Sequence, residues 1–304
     1  MMRLPTLRQL RHLVALAEHC HFGRAAAAVH VTQSTLSASL RELEETLGAA
    51  LVDRTQRRVV VTPLGNEVVH RAQALLQGAE ELVRLANAAA EPLTGPLYLG
   101  AIPTVSPFLL PRVLPGLRQA YPNLKLYLVE DLTDRLVERL HAGTLDVVIL
   151  ALPYDYGSGD VFAIGSDPFR LVMPADHALA RLPSVPTESI RSEPLLLLTD
   201  GHCLRQHALA ACDLAAARAG EVFAATSLPT LVQMVDNGLG LTLVPQLALD
   251  AGILNGTRLV ARPVIGEAAQ REIGLVWRKG TARAEEFQLL GRELQRRFEP
   301  TQPD

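Results

Sequence analysis

Cysteine is scarce in this sequence of 304 residues, and long apolar runs are absent from it. Three cysteines are too few for the disulfide framework that stabilises small secreted proteins. The longest unbroken apolar run has six residues, Val147 to Leu152, whereas a membrane-spanning helix needs about 20. The first residues also lack the apolar core of a signal peptide. These absences predict a cytoplasmic protein with no membrane partner.

The sequence also lacks the motifs of the common cofactor and metal sites. It contains no phosphate-binding glycine loop of the P-loop type, and no His/Cys cluster has the spacing of a zinc site. We therefore expect no cofactor. Charge is unevenly distributed: residues 1–62 carry eight arginines and no lysine against five acidic residues, although the net charge of the whole chain is −3. A basic excess at one end indicates an anionic partner there.

The first 65 residues predict a helix-turn-helix followed by a short wing. Apolar residues recur at intervals of three and four from Leu7 onwards, which is typical of helices with one buried face. A short alanine-rich helix is predicted from Phe22 to Val29, and a third helix from Thr32 to Leu47, where Gly48 ends it. Two short helices, a tight turn and a third helix are the parts of a helix-turn-helix.

The third helix is predicted to have one buried and one polar face. Its spacing places four leucines towards the core: Leu36, Leu40, Leu43 and Leu47. Its opposite face carries side chains that can bond the base edges or phosphates of double-stranded DNA, and the wing adds arginines. The DNA-binding candidates on helix and wing are Gln33, Ser34, Ser37, Arg41, Arg54, Arg57 and Arg58. A helical bundle with a solvated polar face would produce the same pattern without DNA.

Residues 66–91 predict one long linker helix. Six apolar residues alternate at spacings of four and three from Val68 to Ala86, which is the seam of a coiled coil and favours a homodimer. A helix packed on its own domain is the alternative. Residues 91–96, Glu-Pro-Leu-Thr-Gly-Pro, are predicted to end the helix.

Residues 92–304 predict an α/β regulatory domain. Strand and helix patterns alternate from Leu97 to Leu152, and this βαβ rhythm indicates a mainly parallel sheet. About 200 residues of such a pattern favour two lobes rather than one.

Cys203 and Cys212 form the most informative pair in this region. Cys203 is expected at a helix start after Gly201, between His202 and Arg205, where cations favour the reactive thiolate. If the segment is helical, the two Cα atoms lie roughly 13 Å apart, whereas a disulfide needs them within about 7 Å. A disulfide and an intact helix therefore exclude each other, which is a property of redox switches. An inert buried thiol is the alternative.

Several segments together resemble the LysR-type transcriptional regulators. The segments are Phe22-Gly23-Arg24-Ala25-Ala26, Gln33-Ser34-Thr35-Leu36-Ser37, Leu43-Glu44, Thr62-Pro63-Leu64-Gly65 and Thr226-Ser227-Leu228 with residues 238–245. The resemblance spans essentially the whole chain. It implies a winged helix-turn-helix, mainly α, over residues 1–65 and a linker (dimerisation) helix over 66–91. Over 92–304 it implies a two-lobed α/β regulatory domain like a periplasmic binding protein.

The segment from Asp200 to Cys212 further resembles the peroxide-sensing branch of this family. That resemblance implies that Cys203 reacts with hydrogen peroxide to a sulfenic acid and that Cys212 resolves it to a disulfide. It also implies a peroxide pocket made by Thr104, Thr133, His202 and Arg271. The implied partners are promoter DNA, further copies of the chain in dimers that pair into tetramers, RNA polymerase, and a thiol reductant such as glutaredoxin or thioredoxin. Peroxide would be consumed stoichiometrically, so we expect no enzyme.

Two other functions remain open at this point. A regulator of the same family that binds a small organic effector between its lobes would use neither cysteine. A thiol peroxidase with turnover would use both, but the helix-turn-helix argues against it. The sequence also leaves open whether the stable oxidised product is the disulfide or the sulfenate.

Overall fold

The computed structural model describes residues 4–55, 58–87, 92–211, 224–266 and 269–298. These residues fall into two compact units, one within residues 1–90 and 141–144 and the other within 91–140 and 145–304. In the ranges that are described, no helix combines the length and the hydropathy that crossing a membrane requires.

The described residues of the first unit form four helices and a two-stranded sheet. Its elements are α1 (Leu7–His19), α2 (Phe22–Ala28), α3 (Gln33–Leu47), β1 (Val52–Thr55), β2 (Arg58–Val61) and α4 (Pro63–Asn87). Side chains of Thr6, His21 and Thr32 accept hydrogen bonds from the free backbone N–H groups at the starts of α1, α2 and α3. The antiparallel pair β1–β2 is the wing. The predicted winged helix-turn-helix is confirmed.

Leucines from α1 and α3 form the centre of this unit. Leu13, Leu36, Leu40 and Leu43 are at most 1% exposed. The prediction for Leu47 is wrong, since its side chain is 40% exposed. It is the last residue of α3 before the left-handed Gly48. The buried face of the helix therefore ends before the helix itself does.

His12 is an unusual member of this core. It is 2% exposed, and its Nδ1 has no hydrogen-bond partner in the part of the chain that the structure describes. Burial, together with the charges of Arg8 and Arg11, lowers the pKa of its imidazole below the ordinary value of 6.5. The folded unit therefore holds His12 in the neutral form.

We expect acid to destabilise this unit through His12. Below about pH 6.5 the imidazole is protonated in the unfolded protein but stays neutral in the folded one. The free energy of unfolding therefore decreases as the pH decreases, by at most about 1.4 kcal/mol per pH unit for one group. Urea unfolding of the wild type and of His12→Leu between pH 5 and pH 8 measures this effect. The wild type should lose stability relative to His12→Leu as the pH falls, and a difference that is constant with pH would contradict the assignment.

The second unit alternates strands and helices. Its first half contains β3 (Gly95–Ala101), α5 (Ser106–Ala120), β4 (Leu124–Glu130), α6 (Thr133–His141), β5 (Val147–Leu152) and β6 (Gly159–Pro174). After a 3-10 turn at Ala178–Arg181 come β7 (Val185–Pro186), α7 (Thr187–Ile190), β8 (Leu197–Leu198), α8 (Cys203–Ala211), β9 (Ala224–Ala225), α9 (Leu228–Asp236), β10 (Thr242–Pro245), α10 (Gln246–Asp250), β11 (Leu259–Ile265), β12 (Gln270–Arg278) and α11 (Ala284–Phe298).

The main sheet of this unit is mixed, in contrast to the mainly parallel sheet that the sequence predicts. Its order is β4-β3-β5-β12-β6-β11-β7, with β10 also paired to β6. β3 is parallel to β4 and β5, whereas β12 is antiparallel to both β5 and β6. Hydrophobic periodicity does not encode strand direction, so the late insertion of β12 between β5 and β6 could not be predicted from it.

The long strand β6 joins two α/β halves. Its first part pairs with β12 beside β5, and its second part pairs with β10 and β11. The predicted division into two lobes therefore corresponds to the two ends of β6. Val147 to Ala151 of β5 and Leu171 to Met173 of β6 are among the most deeply buried residues, with exposed fractions of 0%.

Candidate functional site

Cys203 is the first residue of α8 and is 5% exposed. The chain reaches it through Gly201, whose φ of +91° lies in the left-handed region that favours glycine. This turn reverses the chain between β8 and α8. The helix start that the sequence predicts at Cys203 is therefore where the structure places it, while Cys212 lies outside the described residues.

A narrow pocket borders Cys203. Its walls come from three places in the chain: the loop before α5, the start of α6 and the start of α8. The wall residues are Ile102, Pro103, Thr104, Leu132, Thr133, Gly201, His202 and Cys203. The structure thus brings Thr104, Thr133 and His202 together around the cysteine.

Arg271 joins the pocket through Thr104. Its guanidinium is fully buried, and it donates to the Thr104 hydroxyl at 2.8 Å and to the Thr104 carbonyl at 3.0 Å. Asp167 balances the charge, since Arg271 donates to its Oδ2 at 3.1 and 2.9 Å. The two residues are directly opposite each other on β12 and β6, and the other oxygen of Asp167 accepts the backbone N–H of Leu247 at 2.9 Å.

The two pocket hydroxyls differ in their bonding. Thr104 accepts a hydrogen bond from Arg271, so its own O–H stays available to donate into the pocket. Thr133 is 2% exposed, and its hydroxyl has no hydrogen-bond partner among the residues that the structure describes. A buried hydroxyl without a partner is costly, by about 1–3 kcal/mol. The pocket therefore offers the O–H groups of both threonines as donors to a small polar ligand.

The side chains next to Cys203 carry less free charge than the sequence suggests. Burial lowers the pKa of His202, a hydrogen bond to the backbone of Thr226 offsets this only in part, and the ring is neutral at pH 7. Arg205 forms an ion pair with Asp200 at 2.9 Å and also donates to the carbonyl of Leu198. The cationic surroundings predicted for Cys203 are thus weakened, because His202 is neutral and Arg205 is paired with Asp200.

The predicted DNA-binding face lies on α3. Gln33, Ser34 and Arg41 are exposed and Ser37 is half-buried, on the side opposite Leu36 and its neighbours in the core. In the wing, Arg54 lies on β1 and Arg58 begins β2, whereas Arg57 is outside the described residues. The hydroxyl of Ser34 lies 2.9 Å from that of the capping Thr32.

Three residues at this site were missed by the sequence reasoning. Asp167 holds Arg271 from a strand 104 residues away, and no spacing rule signals such a pair. Tyr154 lies in the segment between β5 and β6 and donates to Asp134 of α6. Nε2 of His207 in α8 lies 3.2 Å from the carbonyl oxygen of Pro153 in the same segment. Only the position of His207, four residues after Cys203 in a helix, was available from the sequence.

Two family descriptions match the chain, and together they cover nearly all of it. Residues 7–66 match "Bacterial regulatory helix-turn-helix protein, lysR family", and residues 90–299 match "LysR substrate binding domain".

Named relatives match over almost the whole chain. The DNA-binding transcriptional dual regulator OxyR of Escherichia coli is 40% identical over 293 residues, which is 96% of each chain. The HTH-type transcriptional regulator EstR of Acinetobacter baylyi is 41% identical over 290 residues, which is 95% of this chain and 96% of EstR.

Solved structures give the same picture. A full-length OxyR variant with a cysteine changed to aspartate, from Pseudomonas aeruginosa, superimposes with a TM-score of 0.80 at 34% identity and covers 96% of this chain and 98% of its own. A cysteine-to-serine variant of Corynebacterium glutamicum OxyR, described as H2O2-bound, gives 0.67 at 36% identity and covers 98% and 94%.

Proposed function

Since the chain belongs to the LysR family of DNA-binding transcriptional regulators, we propose that the signal it transmits to DNA is hydrogen peroxide. The observation that carries this proposal is the pair of threonine hydroxyls beside the buried thiol of Cys203: Thr104 has an O–H that can donate, and Thr133 has no partner among the described residues. Hydrogen peroxide is small, and it both donates and accepts hydrogen bonds. Its size suits this narrow pocket, and its two oxygens can each accept a hydrogen bond from a threonine hydroxyl.

The first step oxidises Cys203. Its thiolate attacks one oxygen of peroxide, the O–O bond breaks, and the products are a sulfenic acid and a hydroxide that takes up a proton to become water. Thr104 and Thr133 hold the two oxygens in line with the sulfur. Arg271 keeps the Thr104 hydroxyl oriented and favours the developing hydroxide, and the neutral imidazole of His202 borders the thiol.

The second step forms the switch. The thiol of Cys212 displaces the sulfenic oxygen as water, and a Cys203–Cys212 disulfide results. Because the chain is helical from Cys203 to Ala211, a disulfide between Cys203 and Cys212 requires this segment to unwind. A thiol reductant such as glutaredoxin or thioredoxin resets the switch, so one peroxide is consumed per cycle and no enzymatic turnover is required.

The change then reaches DNA through the helix-turn-helix. The exposed face of α3, with Gln33, Ser34, Ser37 and Arg41, reads the major groove of promoter DNA, and Arg54, Arg57 and Arg58 of the wing contact the phosphate backbone. α4 pairs two copies, and pairs of dimers assemble into tetramers. A new geometry of these paired helices alters the contact with promoter and RNA polymerase.

A peroxide titration of the reduced, full-length protein tests this function. We expect a Cys203–Cys212 linked peptide in nonreducing mass spectrometry near one equivalent of peroxide, and its reversal by thioredoxin. Cys203→Ser should prevent oxidation, Cys212→Ser should stop at the sulfenic acid, and Cys20→Ser, a change at an exposed thiol, should behave like the wild type. Free thiols at tens of equivalents would refute the proposal.

A second candidate is a regulator that responds to a small organic effector. EstR, which carries a name without reference to peroxide, is as similar to this chain as OxyR is. Identity therefore does not choose between the signals, and what favours peroxide is the placement of Thr104 and Thr133 beside the buried thiol of Cys203, which an organic effector would not use. DNA binding that is indifferent to replacement of both cysteines would favour this candidate.

A further inference from the structure

One hydrogen bond connects α8 to the segment 153–158, here called the crossover, which links β5 to β6. Nε2 of His207 lies 3.2 Å from the carbonyl oxygen of Pro153. A carbonyl oxygen can only accept, so Nε2 carries the hydrogen. Burial lowers the pKa of His207, and the ring is neutral at pH 7. Its Nδ1 then has a lone pair with no partner among the described residues.

The crossover is held from the other side of the pocket as well. The phenol of Tyr154 donates to the carboxylate of Asp134 on α6, directly after Thr133. Burial is the main cause that raises the pKa of Tyr154, and the hydrogen bond to Asp134 and the charge of that carboxylate add to this. The crossover thus connects the two helices whose first residues, Thr133 and Cys203, face each other across the pocket.

The bond from His207 holds the part of α8 that begins with Cys203. In a helix, a side chain leans towards the turn before it and neighbours the residue four positions earlier. The described part of α8 has nine residues, and isolated helices shorter than about 12 residues are barely stable in water. The helix therefore depends on its contacts with neighbouring elements, and His207 provides one of them.

We propose that the hydrogen bond between His207 and Pro153 is a latch that keeps α8 helical in the reduced protein and slows the condensation of Cys203 with Cys212. His207 is a positioning residue in this scheme, because it acts on the cysteines through the helix. The latch leaves the attack on peroxide unchanged and sets how long the sulfenic acid persists. This role rests on the proposed peroxide-sensing function.

The latch itself can be tested without any oxidation. In hydrogen exchange of the reduced, full-length protein, His207→Ala should exchange the amides of residues 203–211 about fivefold faster, since one hydrogen bond is lost. Alanine favours helices more than histidine does, so helix propensity works against this result. His207→Gln, whose amide N–H can replace Nε2–H, should restore wild-type exchange, and Gln206→Ala, at an exposed neighbour, should not change it.

Its effect on the switch needs the two oxidation steps measured separately. Trapping with dimedone reports the sulfenic acid, and nonreducing mass spectrometry reports the disulfide. In His207→Ala, we expect sulfenic acid formation within twofold of the wild type and condensation about fivefold faster. The equilibrium in a thiol redox buffer should favour the disulfide about fivefold more, which corresponds to a potential about 20 mV more negative.

The outcomes separate the latch from the function on which it rests. Wild-type exchange in His207→Ala would overturn the latch. Faster exchange with unchanged condensation would overturn its control of the switch. Faster exchange in a protein whose wild type never forms the disulfide would support the latch and refute the proposed function. A change confined to sulfenic acid formation would place His207 in the first step and contradict the proposal.

Discussion

Arg271→Met is expected to destabilise the protein by about 3–5 kcal/mol, because it leaves the carboxylate of Asp167 buried without its counter-charge. Both side chains are at most 1% exposed, so water cannot compensate for the loss. Thr104 loses the donor that fixes its hydroxyl, and we expect sulfenic acid formation to slow by about 10- to 100-fold. Urea unfolding and dimedone trapping measure the two effects.

A double variant separates the two consequences of this change. In Arg271→Met with Asp167→Asn, the buried charge is gone, and the asparagine can still accept the backbone N–H of Leu247. Most of the stability should return while the peroxide reaction stays slow. If the double variant reacted as fast as the wild type, Arg271 would have no part in the pocket beyond balancing Asp167.

Thr133→Val is expected to impair peroxide sensing without weakening the fold. The hydroxyl that it removes is buried and has no partner among the described residues, so the free energy of unfolding should stay equal or rise by about 1–2 kcal/mol. If Thr133 orients peroxide, sulfenic acid formation should fall by about 100-fold, as for other preorganised donors at reacting oxygens. Thermal unfolding and stopped-flow oxidation measure the two quantities.

Thr133→Ser is the matched control for this variant. It keeps the hydroxyl and loses one buried methyl group, at a cost of about 1 kcal/mol, so its stability should fall while its rate stays near the wild type. The valine variant should thus be the more stable and the slower of the two. A general disturbance of α6 would instead lower the stability and the rate together. A valine variant that reacts at the wild-type rate would remove Thr133 from the peroxide site.

The helix-turn-helix was predictable because its signals are local. Capping residues such as Thr32, the stop at Gly48 and the leucines of α3 all lie within a few turns of each other, and local patterns encode helices. The exposed Leu47 shows the limit, since periodicity marks a face but does not show where the neighbouring core ends.

The sequence predicted which residues form the pocket, but not their charge states or their hydrogen-bond partners. Thr104, Thr133, His202 and Arg271 were named through the family resemblance, and the structure brings the first three to the thiol. Their charge states depend on burial and on partners such as Asp167, which are far away in the chain. The antiparallel contact of β6 with β12 creates that pair, and the sequence had suggested a mainly parallel sheet.

The three stretches that wall the pocket have a common property. The loop before α5, the first residue of α6 and the first residue of α8 all place the N-terminal end of a helix beside the same small space. Each such end carries about half a positive charge from its aligned peptide groups. The positive electrostatic potential at this space is therefore built largely into the backbone, and the buried guanidinium of Arg271 adds to it. Because these dipoles are shielded from solvent and peroxide is uncharged, the speed of sensing should depend little on the salt content of the surroundings.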